Sequence, residues 1–210
     1  MFQLTFGNHI FQTKKDFEID TADFPDFAKA GIHFCREWLL GQKTFLQQTS
    51  GSTGTPKTIE ISGSQMIASA KSTQSFFKTN ENTNLLCCLD AGYIAGKMML
   101  VRALVWNCHI ELTKPQSNPL AEVTKFPDFV AMVPMQVEAS LQKKGSLEKL
   151  KSIKHLIIGG APISSRLRNL LMENDIQAYQ TYGMTETVSH IALAEITSGE
   201  LIYQLLPGVE

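Results

Sequence analysis

The apolar and polar residues of this chain change their period several times, and each change marks a new element. From Phe2 to Ile19 apolar and polar residues alternate, a period of two that predicts short strands in a hairpin-like start. Between Thr21 and Leu40 the apolar residues recur at helical spacing, and Gly41 stands where the predicted helix should end. The residues 45–48 then predict a strand.

A loop rich in glycine, serine and threonine follows this strand, and the alternating residues 57–61 predict another strand after it. Ser62 and Gln65 have the spacing of a capping box, in which the two side chains satisfy exposed backbone N–H groups at the start of a helix. We therefore expect a helix over residues 63–78.

Strands and helices then alternate along the chain. The predicted pairs are 84–89 with 94–106, 128–133 with 134–143, and 154–159 with 164–173, followed by a strand at 176–180 and strand-like residues from 191 to 206. This order predicts an α/β fold with a mainly parallel sheet flanked by helices. Antiparallel strands are expected at the N-terminus and at the C-terminal end.

Composition bears on which classes of binding partner and which location are expected. The 210 residues carry a formal net charge of −1, so the chain lacks the clustered positive charge of nucleic-acid-binding proteins. Its apolar stretches are shorter than the ~20 residues of a membrane span, and its first residues do not read as a secretory signal. The four cysteines have no metal-ligand spacing and are interpreted as small buried apolar residues, which favours a reducing, cytoplasmic location.

The loop Thr49–Lys57 has the composition of a phosphate-binding loop, because glycines permit close backbone approach to an anion and a terminal lysine adds charge. The alternative is an ordinary surface loop. The NTPase phosphate loop fits poorly, since Pro56 stands where its second glycine should be and a strand follows instead of a helix.

Two further stretches have chemistry suited to a nucleotide. Residues 156–162 predict a buried strand that ends in a glycine turn. In residues 179–187, Tyr182 offers a ring for adenine to stack on, the Thr185 hydroxyl can donate to a phosphate, and the Glu186 carboxylate is a hard oxygen ligand for Mg²⁺.

Together, the stretches 49–57, 156–162 and 179–187 resemble the signature motifs of the adenylate-forming, or AMP-binding, superfamily. The resemblance implies ATP, Mg²⁺ bound by Glu186, and CoA as a co-substrate, with Lys57, Thr185 and Glu186 as catalytic residues. The nucleotide-binding residues that it implies are Thr49, Ser50, Gly51, Ser52, Thr53, Gly54, Lys57, Gly160, Ala161, Pro162, Thr181, Tyr182, Gly183, Met184 and Thr185.

The short segment before the phosphate loop, with residues 91–99 and 187–190, is similar to the short o-succinylbenzoate–CoA ligases of menaquinone synthesis. This substrate has two carboxylates and an aromatic ring, so its pocket should offer a cation or several donors. The candidates are Lys97, Gly159, Ser189 and His190. Alternatives are a ligase for another aryl or fatty acid, a phosphotransferase, and a non-catalytic nucleotide-binding module.

The resemblance also sets an expectation for domain organisation. Residues 1–210 match part of the N-terminal AMP-binding domain of the superfamily, while its small C-terminal domain, which carries the adenylation lysine, is not among them. We therefore expect this chain by itself to have little or no turnover. Small-molecule acid, ATP and CoA are the expected partners, without nucleic acid or membrane, and the sequence indicates no oligomeric state.

Overall fold

The computed structural model describes residues 1–48 and 57–209, and these form a large mixed sheet, a two-stranded sheet and flanking helices. The strands are β1 (Gln3–Phe6), β2 (His9–Phe11), β3 (Thr44–Gln48), β4 (Thr58–Ser62), β5 (Asn84–Cys87), β6 (His109–Leu112), β7 (Phe129–Met132), β8 (His155–Ile158), β9 (Ala178–Gly183), β10 (His190–Glu195) and β11 (Gln204–Leu205). The helices are α1 (Asp26–Leu39), α2 (Gly63–Phe77), α3 (Ile94–Trp106), α4 (Pro134–Leu141), α5 (Lys144–Ser152) and α6 (Ser165–Glu173).

The large sheet has the strand order β11-β10-β9-β8-β7-β5-β6-β1-β2. The six strands from β9 to β1 in this order are parallel, whereas β2, β10 and β11 pair antiparallel at the two edges. Strands β3 and β4 form the separate antiparallel pair. The predicted fold class is confirmed, including the antiparallel strands at both ends of the chain.

Two apolar cores lie on opposite faces of the sheet, because successive side chains of a strand point to opposite sides. In β5, Leu85 and Cys87 join the core that α1, α2 and α3 cover. Leu86 and the following Cys88 join the core that α4, α5 and α6 cover. The result is a three-layer arrangement in which the buried parallel strands carry apolar residues on both faces.

Local signals predicted most elements to within a few residues. The capping box of α2 is present, with the Ser62 hydroxyl accepting from the Gln65 backbone N–H at 3.2 Å. Gly41 follows α1 with a φ of +89°, a conformation in which glycine is favoured. All four cysteines are free and buried, as the apolar interpretation predicted.

The structure differs from the sequence prediction at four places. Helix α1 begins at Asp26, later than predicted, because Pro25 takes the extended N-cap conformation. Residues 14–18 form a 3₁₀ turn instead of a strand. Strand β6 and helix α5 were not predicted, since each is short and has few apolar residues.

Within the described part of the chain, the helices are all too short or too polar to cross a membrane.

Candidate functional site

A cavity of about 230 Å³ opens at the carboxyl ends of the central parallel strands. The chain passes from β5 to β6 on one side and then returns to β7 on the other side of β5. Such a reversal of strand order leaves a crevice at the carboxyl edge, where ligands of open α/β sheets bind. The cavity is lined by Leu89, Ile94, Ala95, Arg102, Ala131, Val133, Ile157, Gly159, Gly160, Thr181, Gly183, Met184, Thr185, Ser189 and His190.

Three glycines let the backbone run close to this cavity. A Cβ atom on Gly159 would lie 2.3 Å from Thr181 Oγ1, and one on Gly183 would lie 2.4 Å from the Ser189 carbonyl oxygen. Gly160 has a φ of +81°, which other residues rarely adopt. Larger residues at these positions would push the turns after β8 and within β9 out of place.

The turn after β9 holds the predicted phosphate and magnesium residues. Residues 185–187 form a 3₁₀ turn, and the Met184 backbone N–H donates to Thr187 Oγ1 at 2.9 Å. Val188 has a φ of +68°, an unfavourable conformation for a β-branched residue. A conformation of this kind persists where the surrounding structure enforces it, often at a functional site.

Arg102 is the main feature of the cavity that the sequence interpretation missed. Its side chain on α3 is only 2% exposed, and within residues 1–48 and 57–209 no carboxylate forms a salt bridge with it. One guanidinium nitrogen donates to Ser189 Oγ at 3.0 Å, and Nε has no partner among the described residues. Burial lowers the pKa of Arg102 to about 10, so the group still carries its charge at neutral pH.

A signal for Arg102 was present in the sequence. Apolar residues flank it on both sides, four from Met98 to Val101 and four from Ala103 to Trp106. Lys97 was selected because it too lies among apolar residues, and the same argument applies more strongly to Arg102. A charge in the middle of a buried helix is costly unless something compensates it.

His190 and Ser189, both selected for the acid pocket, line the cavity beside Arg102. His190 Nδ1 is 3.5 Å from a guanidinium nitrogen and 3.3 Å from Ser189 Oγ, while Nε2 is 3.3 Å from Thr73 Oγ1 on α2. Burial, and then the charge of Arg102, place the pKa of His190 well below its usual value. The imidazole is therefore neutral at neutral pH.

Lys97, the remaining candidate for the acid pocket, does not line the cavity. Its ammonium donates to Gln47 Oε1 at 2.8 Å and to the Leu46 carbonyl at 3.3 Å. The Gln47 amide in turn donates to the Gly92 carbonyl at 3.1 Å. Desolvation lowers the pKa of Lys97, and its role in the structure is to join the end of β3 to α3.

The remaining predicted residues divide into two groups. Tyr182 is 57% exposed and packs edge-on against Tyr203, with ring centroids 5.7 Å apart. Ala161, Pro162 and Glu186 are exposed next to lining residues, Lys57 is exposed, and none of these four lines the cavity. Thr49, Ser50, Gly51, Ser52, Thr53 and Gly54 lie outside the described residues. The flanking strands β3 and β4 are described, and Gln47 of β3 bonds to the Gly92 carbonyl just before α3 and to Lys97 on α3.

The exposed residues beside the cavity suit an Mg²⁺ ion that is coordinated mainly by substrate phosphates and water, with few ligands from the protein. The described part of the chain contains no group of three or more His, Cys, Asp or Glu residues that could cage a metal. Glu186 is exposed and follows Thr185, which does line the cavity. One carboxylate together with substrate phosphates and water is a common way to bind Mg²⁺.

The fold and the cavity define an α/β protein with a ligand site at the carboxyl edge of its sheet, and the comparisons with known proteins give the family. A family model described as "AMP-binding enzyme" matches residues 40–209. A 2-succinylbenzoate–CoA ligase from Bacillus mycoides is 26% identical over 188 residues, which are 85% of this chain and 39% of that protein.

Two solved structures have the same fold. An acyl-CoA synthetase (AMP-forming)/AMP-acid ligase II-like protein from Dyadobacter fermentans is 38% identical, with a TM-score of 0.82 over 94% of this chain and 57% of that one. The o-succinylbenzoate CoA synthetase from Bacillus subtilis, in complex with its acyl-adenylate intermediate, is 25% identical, with a TM-score of 0.63 over 70% of this chain and 31% of that one.

This chain belongs to the AMP-binding enzyme family, which confirms the resemblance found in its motifs. It spans 39% of the length of the Bacillus mycoides relative. The activity, substrates and partners of a whole ligase are therefore matters of proposal for this chain.

Proposed function

We propose that this chain is the acid- and nucleotide-binding part of an AMP-forming acid–CoA ligase, and that its acid is o-succinylbenzoate (2-succinylbenzoate). The observation that carries the choice of acid is the buried guanidinium of Arg102 in the cavity, which has no carboxylate partner among residues 1–48 and 57–209. A charge kept out of water without a carboxylate partner is best explained by an anionic ligand that binds there.

The shape and lining of the cavity agree with an aromatic acid that has a second carboxylate. Apolar side chains such as Leu89, Ile94 and Ile157 can pack against a ring. The Arg102 guanidinium can donate to a remote carboxylate, and hydrogen bonds to such charged groups are the stronger class. A fatty acid or a simple benzoate would leave this guanidinium unpaired.

The proposed reaction starts with attack of the reacting carboxylate oxygen on the α-phosphorus of ATP. A carbon–oxygen–phosphorus linkage forms, the bond to the bridging oxygen breaks, and pyrophosphate leaves with that electron pair. In the second step the CoA thiolate attacks the acyl carbon and AMP leaves. Residues 49–54 and Lys57 are proposed to hold the terminal phosphates.

The turn after β9 would serve the first step. The Thr185 hydroxyl is proposed to donate to the α-phosphate, where negative charge develops as pyrophosphate leaves. Glu186 would hold Mg²⁺, which neutralises phosphate charge when bound. Gly159, Gly160, Ala161, Pro162 and residues 181–184 form the wall proposed for the adenylate, with Tyr182 available at the rim for stacking.

A ligand-stabilisation experiment tests the acid. We expect o-succinylbenzoate to raise the melting temperature of the chain more than benzoate or decanoate does, since a ligand of the folded state stabilises it. Arg102→Met should weaken o-succinylbenzoate binding roughly ten- to a hundredfold, the value of a hydrogen bond to a charged group. Arg166→Met, at an exposed position of α6, is the matched control.

The assignment of this acid fails if Arg102→Met retains the parent's preference for o-succinylbenzoate. It also fails if benzoate or decanoate stabilises the parent chain equally well. The reaction class is tested separately on a longer protein that carries the C-terminal domain. Release of pyrophosphate and AMP supports a ligase, whereas release of ADP would indicate a phosphotransferase.

A further prediction concerns turnover by residues 1–210. We expect nucleotide binding but an adenylation rate about 10²–10³ lower than that of the longer protein, because the family's adenylation lysine lies in its C-terminal domain and one charge-stabilising donor is worth that factor. Pyrophosphate release at equal protein concentration measures the difference. Equal rates would contradict the prediction.

A further inference from the structure

His190 joins two helices beneath the cavity. The imidazole, 7% exposed, lies between Thr73 of α2 and Arg102 of α3, at the first residue of β10. These contacts join His190 to one residue that lies 117 positions earlier in the chain and to another that lies 88 positions earlier. The ring thus touches the one side chain to which the proposed function assigns recognition of the remote carboxylate.

The neighbours of His190 decide which ring nitrogen carries the proton. Thr73 Oγ1 donates its single hydrogen to the Ser69 carbonyl at 3.1 Å. Toward His190 it can therefore only accept, so Nε2 must be the N–H donor. Nδ1 of the neutral ring is then a bare acceptor, and it faces Arg102 and Ser189 Oγ.

This tautomer gives Arg102 an acceptor that carries no charge. Ser189 Oγ accepts from the guanidinium at 3.0 Å and can pass its own hydrogen to Nδ1 at 3.3 Å. A carboxylate at position 190 would also hold the guanidinium, but it would cancel its charge. A second proton on the ring would turn Nδ1 into a donor and repel the guanidinium.

We propose that His190 is a positioning residue for Arg102, which it holds in place as a neutral acceptor so that the full positive charge remains available to the remote carboxylate of the acid. This inference rests on the proposed function, because it assumes that Arg102 binds that carboxylate. It differs from a direct contact between His190 and the acid, which the sequence alone suggested.

Three substitutions at position 190 test whether His190 acts as a neutral hydrogen-bond acceptor or only fills space. His190→Gln keeps a donor for Thr73 and an acceptor for Arg102, so o-succinylbenzoate affinity should stay within about threefold of the parent. His190→Leu removes the acceptor and should weaken that affinity about tenfold, which is more than it weakens the affinity for benzoate. His190→Glu should pair with Arg102 and abolish the preference for o-succinylbenzoate, as Arg102→Met does.

Calorimetric titration of the 210-residue chain with o-succinylbenzoate and with benzoate gives these affinities, and circular dichroism checks that each variant is folded. If Arg102→Met loses the preference for the diacid while His190→Glu and His190→Leu keep it, the inference is wrong and the proposed function stands. If the parent itself shows no such preference, the proposed function is wrong.

A spectroscopic measurement tests the contact between His190 and Arg102 without any ligand. The ¹⁵N chemical shifts of His190 should show a protonated Nε2 and a bare Nδ1, and the Nδ1 shift should change in Arg102→Met. A proton on Nδ1, or an Nδ1 shift unaffected by Arg102→Met, would overturn the inference whatever the outcome of the titrations.

Discussion

At the scale of single residues, the least expected feature is the charge that α3 buries. The Arg102 guanidinium lies 5.9 Å from the centre of the Phe129 ring, and this cation–π contact and a few neutral acceptors are its partners among the described residues. Neutral partners offset only part of the cost of removing a cation from water. Under the proposed function, this loss of stability is the consequence of keeping a free cation for the acid.

This view predicts that Arg102→Met stabilises the chain in the absence of acid. The free energy of unfolding should rise by about 1–2 kcal/mol, because methionine fills a similar space without a charge to desolvate. Urea denaturation of parent, Arg102→Met and the control Arg166→Met measures it. A loss of stability in Arg102→Met beyond that of the control would show that the guanidinium contacts are worth more than its burial costs.

At the scale of elements, α3 decides where the wall of the cavity lies. The helix is buried over most of its circumference, and its N-terminal turn packs against the loop that follows β5. Gly96 makes this contact possible, since a Cβ atom there would lie 2.3 Å from the Asp90 carbonyl oxygen. Backbone atoms on that side cannot rotate away as a flexible side chain would.

We therefore expect Gly96→Ala to destabilise the chain by about 1–3 kcal/mol, the usual cost of overpacking. It should also weaken acid binding, because Ile94 and Ala95 of the same turn line the cavity.

The matched control is Gly145→Ala in α5, where no described atom lies within 4 Å of the added Cβ. This change should stabilise by about 0.5–1 kcal/mol through helix propensity. Thermal and urea unfolding of both variants give the comparison. If Gly96→Ala and Gly145→Ala changed the free energy of unfolding equally, α3 would be free to shift and the prediction would be wrong.

At the scale of the whole molecule, one buried and two half-buried histidines give stability a definite pH dependence. Burial is the main cause that lowers the pKa values of His109, His155 and His190 in the folded chain. The unfolded chain then binds more protons than the folded chain as the pH falls through about 6.5. Glu111 acts in the opposite direction, because burial raises the pKa of its carboxyl group.

The contribution of these histidines to the free energy of unfolding should therefore be complete above about pH 6.5. Below that, the free energy of unfolding should fall between pH 6.5 and pH 5. His190 alone can contribute up to about 1.4 kcal/mol per pH unit in that interval. His190→Gln should flatten the slope, and His33→Gln, at an exposed position of α1, serves as control. Denaturation curves at pH 5, 6, 7 and 8 measure this. Parallel slopes for parent and His190→Gln would contradict the prediction.

Local patterns in the chain were enough to predict most elements and the family. Periods of two and of 3.6 residues, the Ser62 capping box and the glycine turns act over a few positions, so they can be read locally. They predicted the parallel α/β fold and most strand and helix positions. The glycine-rich and Tyr182–Glu186 motifs indicated the superfamily, since each is a continuous stretch whose residue types suit a phosphate or a metal.

Which side chains meet depends on packing between elements that are far apart in the chain. Lys97 and Arg102 lie on the same apolar helix, and the apolar residues that flank Arg102 indicate a buried charge without showing which of the two side chains faces the cavity. Arg102 meets Ser189 and His190 across more than 80 residues because β6 passes to one side of β5 and β7 to the other. That reversal of strand order determines where the cavity lies and which charged side chain, Arg102, lines it. It depends on packing between elements that are distant in the chain.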